Sequence, residues 1–278
     1  MAGRLILVAT PIGNLADLSP RAAEMLTTAD VIAVEDTRRT GRLLAHIGSR
    51  VPQVSYHDHN ERQRLAQLIA RIEAGETVAL VTDAGTPGIS DPGYRLVRAC
   101  AERGLDVTAI PGPAALVHAL VVSGLPTDRF VFEGFLPRRG GARTSRLAEL
   151  ERDPRTLVFY VSPHRAADDL ADLAATLGAD RPAVLCRELT KLHEEVRRST
   201  LGDLAAQVVE AGVRGEATLV VAGAPARDDA ADGEDLVAEV ERRVEAGTSR
   251  RDAISAVATE RGVPRRALYQ AVVDSTPS

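Results

Sequence analysis

Three short segments combine glycine, proline and small polar residues in a way that suits ligand binding. They are Thr10-Pro11-Ile12-Gly13-Asn14, the twelve-residue run Thr82–Gly93 (Thr-Asp-Ala-Gly-Thr-Pro-Gly-Ile-Ser-Asp-Pro-Gly), and Pro111-Gly112-Pro113-Ala114-Ala115. Glycine and proline set tight turns and let backbone approach a bound molecule closely. Each segment follows a short apolar run, and in parallel sheets ligands lie beyond the carboxyl ends of the strands. The spacing excludes two common phosphate sites. No Gly-Lys pair exists for a G-x-x-x-x-G-K-[ST] loop, and no G-x-G-x-x-G loop is present,.

Five side chains outside or within these segments could move a proton. Asp36, His57, His59, Glu61 and Asp91 are the candidate bases; Asp36 in Glu-Asp-Thr-Arg also has the form of a helix cap,. His57-x-His59 lacks an identifiable third ligand, so no metal is expected. Arg138, Arg139, Arg143 and Arg146 form a glycine-interrupted basic stretch expected to be a loop that contacts phosphate,. His164, Arg165 and Lys191 are further candidates for gripping a phosphate backbone. Lys191 is the one lysine among 34 basic residues. In so arginine-rich a chain, it points to a place where a guanidinium cannot stand in for an ammonium.

Six motifs carry a family resemblance: Val8–Leu15, Glu35-Asp36-Thr37-Arg38, His57-Asp58-His59-Asn60-Glu61, the Thr82–Gly93 loop, Glu133-Gly134-Phe135-Leu136-Pro137 and Ser162-Pro163-His164-Arg165. In this order they resemble the bacterial ribosomal RNA 2′-O-methyltransferases, a branch of the tetrapyrrole methylase-like S-adenosylmethionine enzymes. The likeness runs from about Leu5 to Gly223. It implies S-adenosylmethionine as methyl donor, a decoding-centre cytidine of 16S rRNA within the small ribosomal subunit as target, and a homodimer. It further implies that Pro11 and Gly13 floor the first cofactor loop, and that Asp83, Ala84 and Gly85 line the methionine and ribose portion. Pro111, Gly112, Ala114 and Ala115 would form the third loop, and Phe135, Tyr160, Val161 and Ser162 the wall from the second domain. Relatives commonly place a glutamate where this chain has Val161. Since the donor is a sulfonium cation, the pocket is expected to avoid Lys and Arg. Asp36, His59 and Glu61 stand as catalytic candidates, and Phe135 or Tyr160 could stack on a base.

The elements that must position these residues are legible in the apolar patterning. Strands are expected at Leu5–Ala9, Val31–Val34, Thr77–Val81 and Val107–Ile110, alternating with helices from Pro20, Thr40, Arg62 and Gly93 and at Ala114–Val122,. Strands then read at Phe130–Phe135, Thr156–Val161, Ala183–Glu188, Glu195–Ser199 and Ala217–Ala222, with helices at Arg165–Leu177 and Leu201–Ala211. The resulting class is α/β, with a parallel sheet followed by a mixed sheet. The resemblance makes these two α/β domains of the tetrapyrrole methylase type, with cofactor in the cleft between them. Expected boundaries are 1–124, 125–225 and 226–278, the last an acidic linker (Ala226–Asp235) and a helical segment outlined by Ser249, Gly262 and Pro264.

Composition narrows the function classes. The chain has 278 residues, 45% hydrophobic and 26% charged, with a formal charge of −5. That is the profile of a globular protein without a bulk nucleic-acid-binding field. No apolar run approaches the ~20 residues a bilayer requires. No leader pattern is visible, and two cysteines cannot build a disulfide framework,. A cytoplasmic enzyme without membrane or DNA partners is expected. The rival readings are a tetrapyrrole methyltransferase of the same fold and a non-catalytic rRNA-binding assembly factor.

Overall fold

The computed structural model describes residues 3–225, 229–261 and 263–275, with the side chains of 229–235 excepted. In the first half, strands β1 (Arg4–Val8), β2 (Val31–Val34), β3 (Gln53–Ser55), β4 (Thr77–Val81) and β5 (Asp106–Ile110) alternate with helices α1 (Pro20–Thr28), α2 (Thr37–His46), α3 (Glu61–Glu73), α4 (Tyr94–Glu102) and α5 (Ala115–Ser123). The strands form an all-parallel sheet in the order β3-β2-β4-β1-β5. β2 and β4 are almost entirely buried, as near-continuous apolar runs in a two-faced sheet should be,. Leu26, Leu43 and Leu44 from α1 and α2 cover one face; Leu68, Ile72, Leu96 and Ala99 from α3 and α4 cover the other. Local chemistry starts the helices where expected: Ser19 accepts the Ala22 amide and Pro20 fills the first turn of α1,.

The second half contains β6 (Phe130–Phe135), α6 (Gly141–Leu150), β7 (Thr156–Val161), α7 (Ala166–Leu177), β8 (Pro182–Arg187), β9 (Glu195–Thr200), α8 (Leu201–Ala211) and β10 (Ala217–Val221). Its sheet runs β6-β7-β10-β8-β9; only β6 and β7 pair in parallel. Helices α6, α7 and α8 cover one face around Leu157, Phe159 and Leu219. α5 and Ile12, both from the first half of the chain, pack on the other face against Val158, Val184 and Val220. The two sheets belong to one compact unit that ends at Ala224.

The remaining helices α9 (Asp229–Glu245), α10 (Arg250–Arg261) and α11 (Arg265–Asp274) form a separate unit with its own core of Val240, Ile254, Val257, Leu268 and Val272. Ser249 caps α10 by accepting the Asp252 amide. The expected linker Ala226–Asp235 is corrected in part: helix begins at Asp229, whereas 226–228 and Gly262 lie outside the described residues. No helix of the described residues is long and apolar enough to cross a membrane.

One expected loop is a helix. The arginine stretch after Phe135 enters α6 at Gly141, and Arg143, Leu147 and Leu150 recur on its buried side. The glycine pair Gly140-Gly141 marks the entry of this helix, with φ +76° at Gly140, and does not open a flexible excursion,.

Candidate active site

The three glycine- and proline-rich segments leave β1, β4 and β5 at the same edge of the first sheet and are tied to one another. Thr10 and Gly85 exchange both backbone hydrogen bonds, at 2.9 and 3.0 Å. The Thr10 hydroxyl donates to the Thr82 carbonyl, and the Thr86 hydroxyl to the Pro113 carbonyl at 3.1 Å. A Cβ on Gly112 would lie 2.9 Å from the Ala9 Cβ, so this third loop sits against the first only because residue 112 has no side chain,.

These loops and the second sheet enclose a cavity of about 400 Å³, within the range of small-molecule sites. Asp83, Ala84, Gly85, Ala114, Ala115, Phe135, Tyr160, Val161 and Ser162 line it, all of them named from the sequence. Pro11, Gly13, Pro111 and Gly112 form the turns behind it and do not themselves face it.

The second-sheet wall depends on an irregularity. Register slips between Phe132 and Gly134 in the β6–β7 pairing, and Gly134 has φ +63°. Residues 132 and 135 would face opposite sides of a regular strand; the bulge changes the parity. Phe132 and Phe135 therefore both meet the Tyr160 ring, with centroids 5.0 and 5.6 Å away. Gly134 also admits the Ser90 hydroxyl, which would stand 3.0 Å from a Cβ there.

Sequence reasoning missed several wall residues: Glu35, Arg39, Cys186, Leu189, Glu216 and Thr218. Glu35 lies within the quoted motif Glu35-Asp36-Thr37-Arg38 but was given no role there, and the β8 and β10 residues carried no local signal. They reach the cavity because β10 is inserted between β7 and β8. Glu216 precedes Ala217, which pairs with Val161, so a neighbouring strand brings a carboxylate beside the valine.

The electrostatics favour a cation. Glu35, Asp83, Asp91 and Glu216 contribute four carboxylates to the wall, against one guanidinium, Arg39. The presence of Arg39 corrects the expectation of a site without basic residues, but its charge is met by Asp83 at 3.2 Å. The other Asp83 oxygen accepts the Asp36 amide, and the Asp83 amide points at Glu35. Burial and the Glu35 carboxylate push the Asp91 carboxyl up to about 7, against the pull of a hydrogen bond from Thr82,. Burial likewise raises Glu35, and pushes the Cys186 thiol up to about 11. Asp91 follows Ser90, a non-glycine residue at φ +59°. Such strained backbone clusters at functional sites.

None of the three catalytic candidates, Asp36, His59 and Glu61, lines the cavity. Asp36 caps α2 by accepting the Arg38 amide, and its bonds to the Arg38 guanidinium lower it to about 2; so weak a base does not draw a proton from a hydroxyl. Glu61 is buried, accepting from the Tyr56 hydroxyl at 2.8 Å and pairing with Arg95 at 3.0 Å. His59 is exposed and outside the cavity lining. His57 shares a contact with Asn60, and no group of metal-ligating side chains occurs among the described residues.

The phosphate candidates also divide. Arg138 and Arg139 are exposed, three and four residues beyond Phe135 in the chain. Arg143 is not available: it is buried, bonding Asp169 at 2.8 Å, Asp172 at 2.7 Å and the Pro137 carbonyl. Arg165 bonds the same Asp169 and the Leu136 carbonyl. Both arginines thus anchor the segment behind Phe135 to α7. Arg146 is held by Glu133 and Glu149. His164 is exposed, whereas Lys191 is half-buried between two carboxylates.

A parallel sheet joined to a mixed one, with ligand loops converging between them, defines a particular class, and the chain belongs to the tetrapyrrole (corrin/porphyrin) methylase family, which it matches over residues 4–205. Its similarity to one branch extends further along the chain. It is 49% identical over 269 residues to the ribosomal RNA small subunit methyltransferase I of Synechocystis sp., covering 96% of each chain. It is 52% identical over 279 residues to the protein of that name from Mycobacterium tuberculosis (99% and 96% covered), and 46% over 273 residues to that of Escherichia coli O157:H7 (96% and 94%). Solved structures share the fold. Diphthine synthase superimposes with TM-score 0.63 at 17% identity over 79% of this chain and 90% of its own. The Thermus thermophilus uroporphyrin-III C-methyltransferase complexed with S-adenosylhomocysteine gives 0.56 at 22% identity over 79% and 96%.

Proposed function

We propose that this chain methylates the ribose 2′-oxygen of a cytidine in 16S rRNA, at the decoding centre of the small ribosomal subunit, with S-adenosylmethionine as donor. The observation that carries the reading is the cavity itself: ligand-sized, rich in carboxylate, with its one guanidinium neutralised. That charge pattern fits a sulfonium-bearing molecule, and the names of the relatives support rRNA as acceptor. S-adenosylmethionine would supply an electrophilic methyl group.

The chain's own residues do the rest. Asp83, Ala84 and Gly85 with Ala114 and Ala115 hold the donor in one orientation, and such positioning supplies ~7–11 kcal/mol in a displacement reaction. Asp91 accepts the 2′-hydroxyl proton as the new O–C bond forms and the C–S bond breaks. Phe135 and Tyr160 receive the acceptor nucleoside by stacking. Arg138 and Arg139 contact its flanking phosphates. A cytoplasmic homodimer is part of the proposal; a solution mass equal to one chain would refute the dimer.

The test is mass spectrometry of nucleosides from small subunits of a strain lacking the gene, before and after incubation with protein and donor. Gain of 2′-O-methylcytidine is expected; methyl transfer to a tetrapyrrole and none to RNA overturns the reading. A second expectation concerns the exposed arginines. Replacing Arg138 and Arg139 with Ala flattens the slope of log affinity for RNA against log salt by about 1.4–1.8 in all, given ~0.7–0.9 per phosphate contact. An unchanged slope removes both from the RNA interface.

A further inference from the structure

The single lysine of the chain is internal to the site's framework. Its ammonium donates to Glu188 Oε1 at 2.8 Å and to Glu216 Oε2 at 2.9 Å, and Glu216 is a cavity wall residue. Glu188 Oε1 also accepts the Glu216 amide at 2.9 Å. Both ends of this arrangement lie against glycines. A Cβ on Gly13 would meet the Lys191 Cγ at 2.4 Å, and one on Gly215 would meet the Glu188 carboxylate at 2.1 Å. The lysine stem therefore lies across the first ligand loop, one residue from Ile12, which lines the cavity. The next amide of that loop, Asn14 N–H, donates to the Thr190 hydroxyl at 3.2 Å. The connection from β8 to β9 carries two non-glycine residues in the left-handed region, Glu188 at φ 52° and Thr190 at φ 66°. Such conformations persist only where the surroundings enforce them.

We propose that Lys191 is a positioning residue that latches the second-sheet segment 188–191 over the Ile12–Asn14 loop and thereby sets the width of the donor end of the cavity. The ammonium is compact enough to sit between two carboxylates while its stem fills the notch at Gly13; a planar guanidinium on a longer arm differs in reach and in the direction of its donors. This accounts for lysine at one position in a chain that otherwise uses arginine, and it replaces the phosphate contact expected of Lys191.

The inference rests on the proposed use of the cavity, so the experiment separates the two. S-adenosylhomocysteine binding is measured by calorimetry on the full chain and on Lys191→Met and Lys191→Arg. Both variants should weaken binding about tenfold and raise KM for the donor in step, with kcat lowered much less. Gly13→Ala should also weaken binding in the parent chain but add less in Lys191→Ala, where the stem is gone and the Thr190 hydroxyl, 3.0 Å from such a Cβ, remains; fully additive losses overturn the latch. Unchanged donor-product affinity in Lys191→Met, with a loss of RNA affinity and of salt dependence, overturns it in favour of a phosphate contact. Failure of the parent chain to bind S-adenosylhomocysteine sinks the proposed function but leaves a ligand-free readout. Amide exchange at Gly13 and Asn14 should quicken in Lys191→Met at an unchanged melting temperature, and equal exchange rates refute the latch by themselves.

Discussion

Asp91→Asn lowers kcat by about 10²–10⁴-fold, the usual contribution of a positioned base, while leaving S-adenosylhomocysteine affinity within a small factor. The parent activity climbs as pH rises through about 7, where burial and Glu35 have placed the Asp91 carboxyl. Below that pH the group is protonated and cannot accept the hydroxyl proton; above it the rate levels off. The variant lacks this limb. Stability should move the opposite way. An Asp titrates near ~3.9 in the unfolded chain, so ionising Asp91 in its folded site opposes folding, and stability is lost as pH rises toward about 7,. Removing the charge makes Asp91→Asn more heat-stable at pH 8, by a margin that widens from acid to neutral pH and is constant beyond. Glu35 faces the same space and is raised too, so the limb belongs to the pair, and Glu35→Gln should move its midpoint down. A pH–rate profile of Asp91→Asn that retains both the parent midpoint and the parent plateau rate eliminates Asp91 as the base.

Arg143→Ala destabilises the protein by about 3–5 kcal/mol, on the order of 10 °C in melting temperature, and leaves the salt slope of RNA binding untouched. Arg143 and Asp169 are both buried, and the Arg143–Asp169 ion pair is 2.8 Å long. Truncating the arginine leaves Asp169 with Arg165 alone, and frees the Pro137 carbonyl and Asp172. A buried carboxylate with half of its charge partners removed costs far more than a surface pair, which contributes at most about 1 kcal/mol. The contrast with Arg138 and Arg139 is direct: neighbouring arginines of one stretch should split cleanly into stability and RNA affinity. Full stability in Arg143→Ala, measured by thermal or denaturant unfolding, would contradict the network.

How these four arginines divide shows where sequence stops informing. Gly140 and Gly141 resemble loop punctuation, and the apolar positions Leu147 and Leu150 lie beyond the basic residues that drew attention. With Arg143 they make one buried stripe of α6. Nothing local distinguishes an arginine that turns inward to a carboxylate 26 residues away from one that faces water. Glu61 poses the same problem: its partners Tyr56 and Arg95 lie on either side of it in the chain, and only packing brings them to one carboxylate.

Most strand and helix positions, the switch from a parallel to a mixed sheet and the three glycine- and proline-rich loops followed from sequence alone, β3 and α6 excepted, because each is a local property: apolar period, cap chemistry and the backbone freedom of glycine and proline act over a few residues. The tertiary structure decided which carboxylates line the cavity, which arginines reach solvent and what the lone lysine holds. Those outcomes depend on burial and on charges brought together by strand order, by the β6 bulge and by glycine notches, and no short window of sequence contains that information.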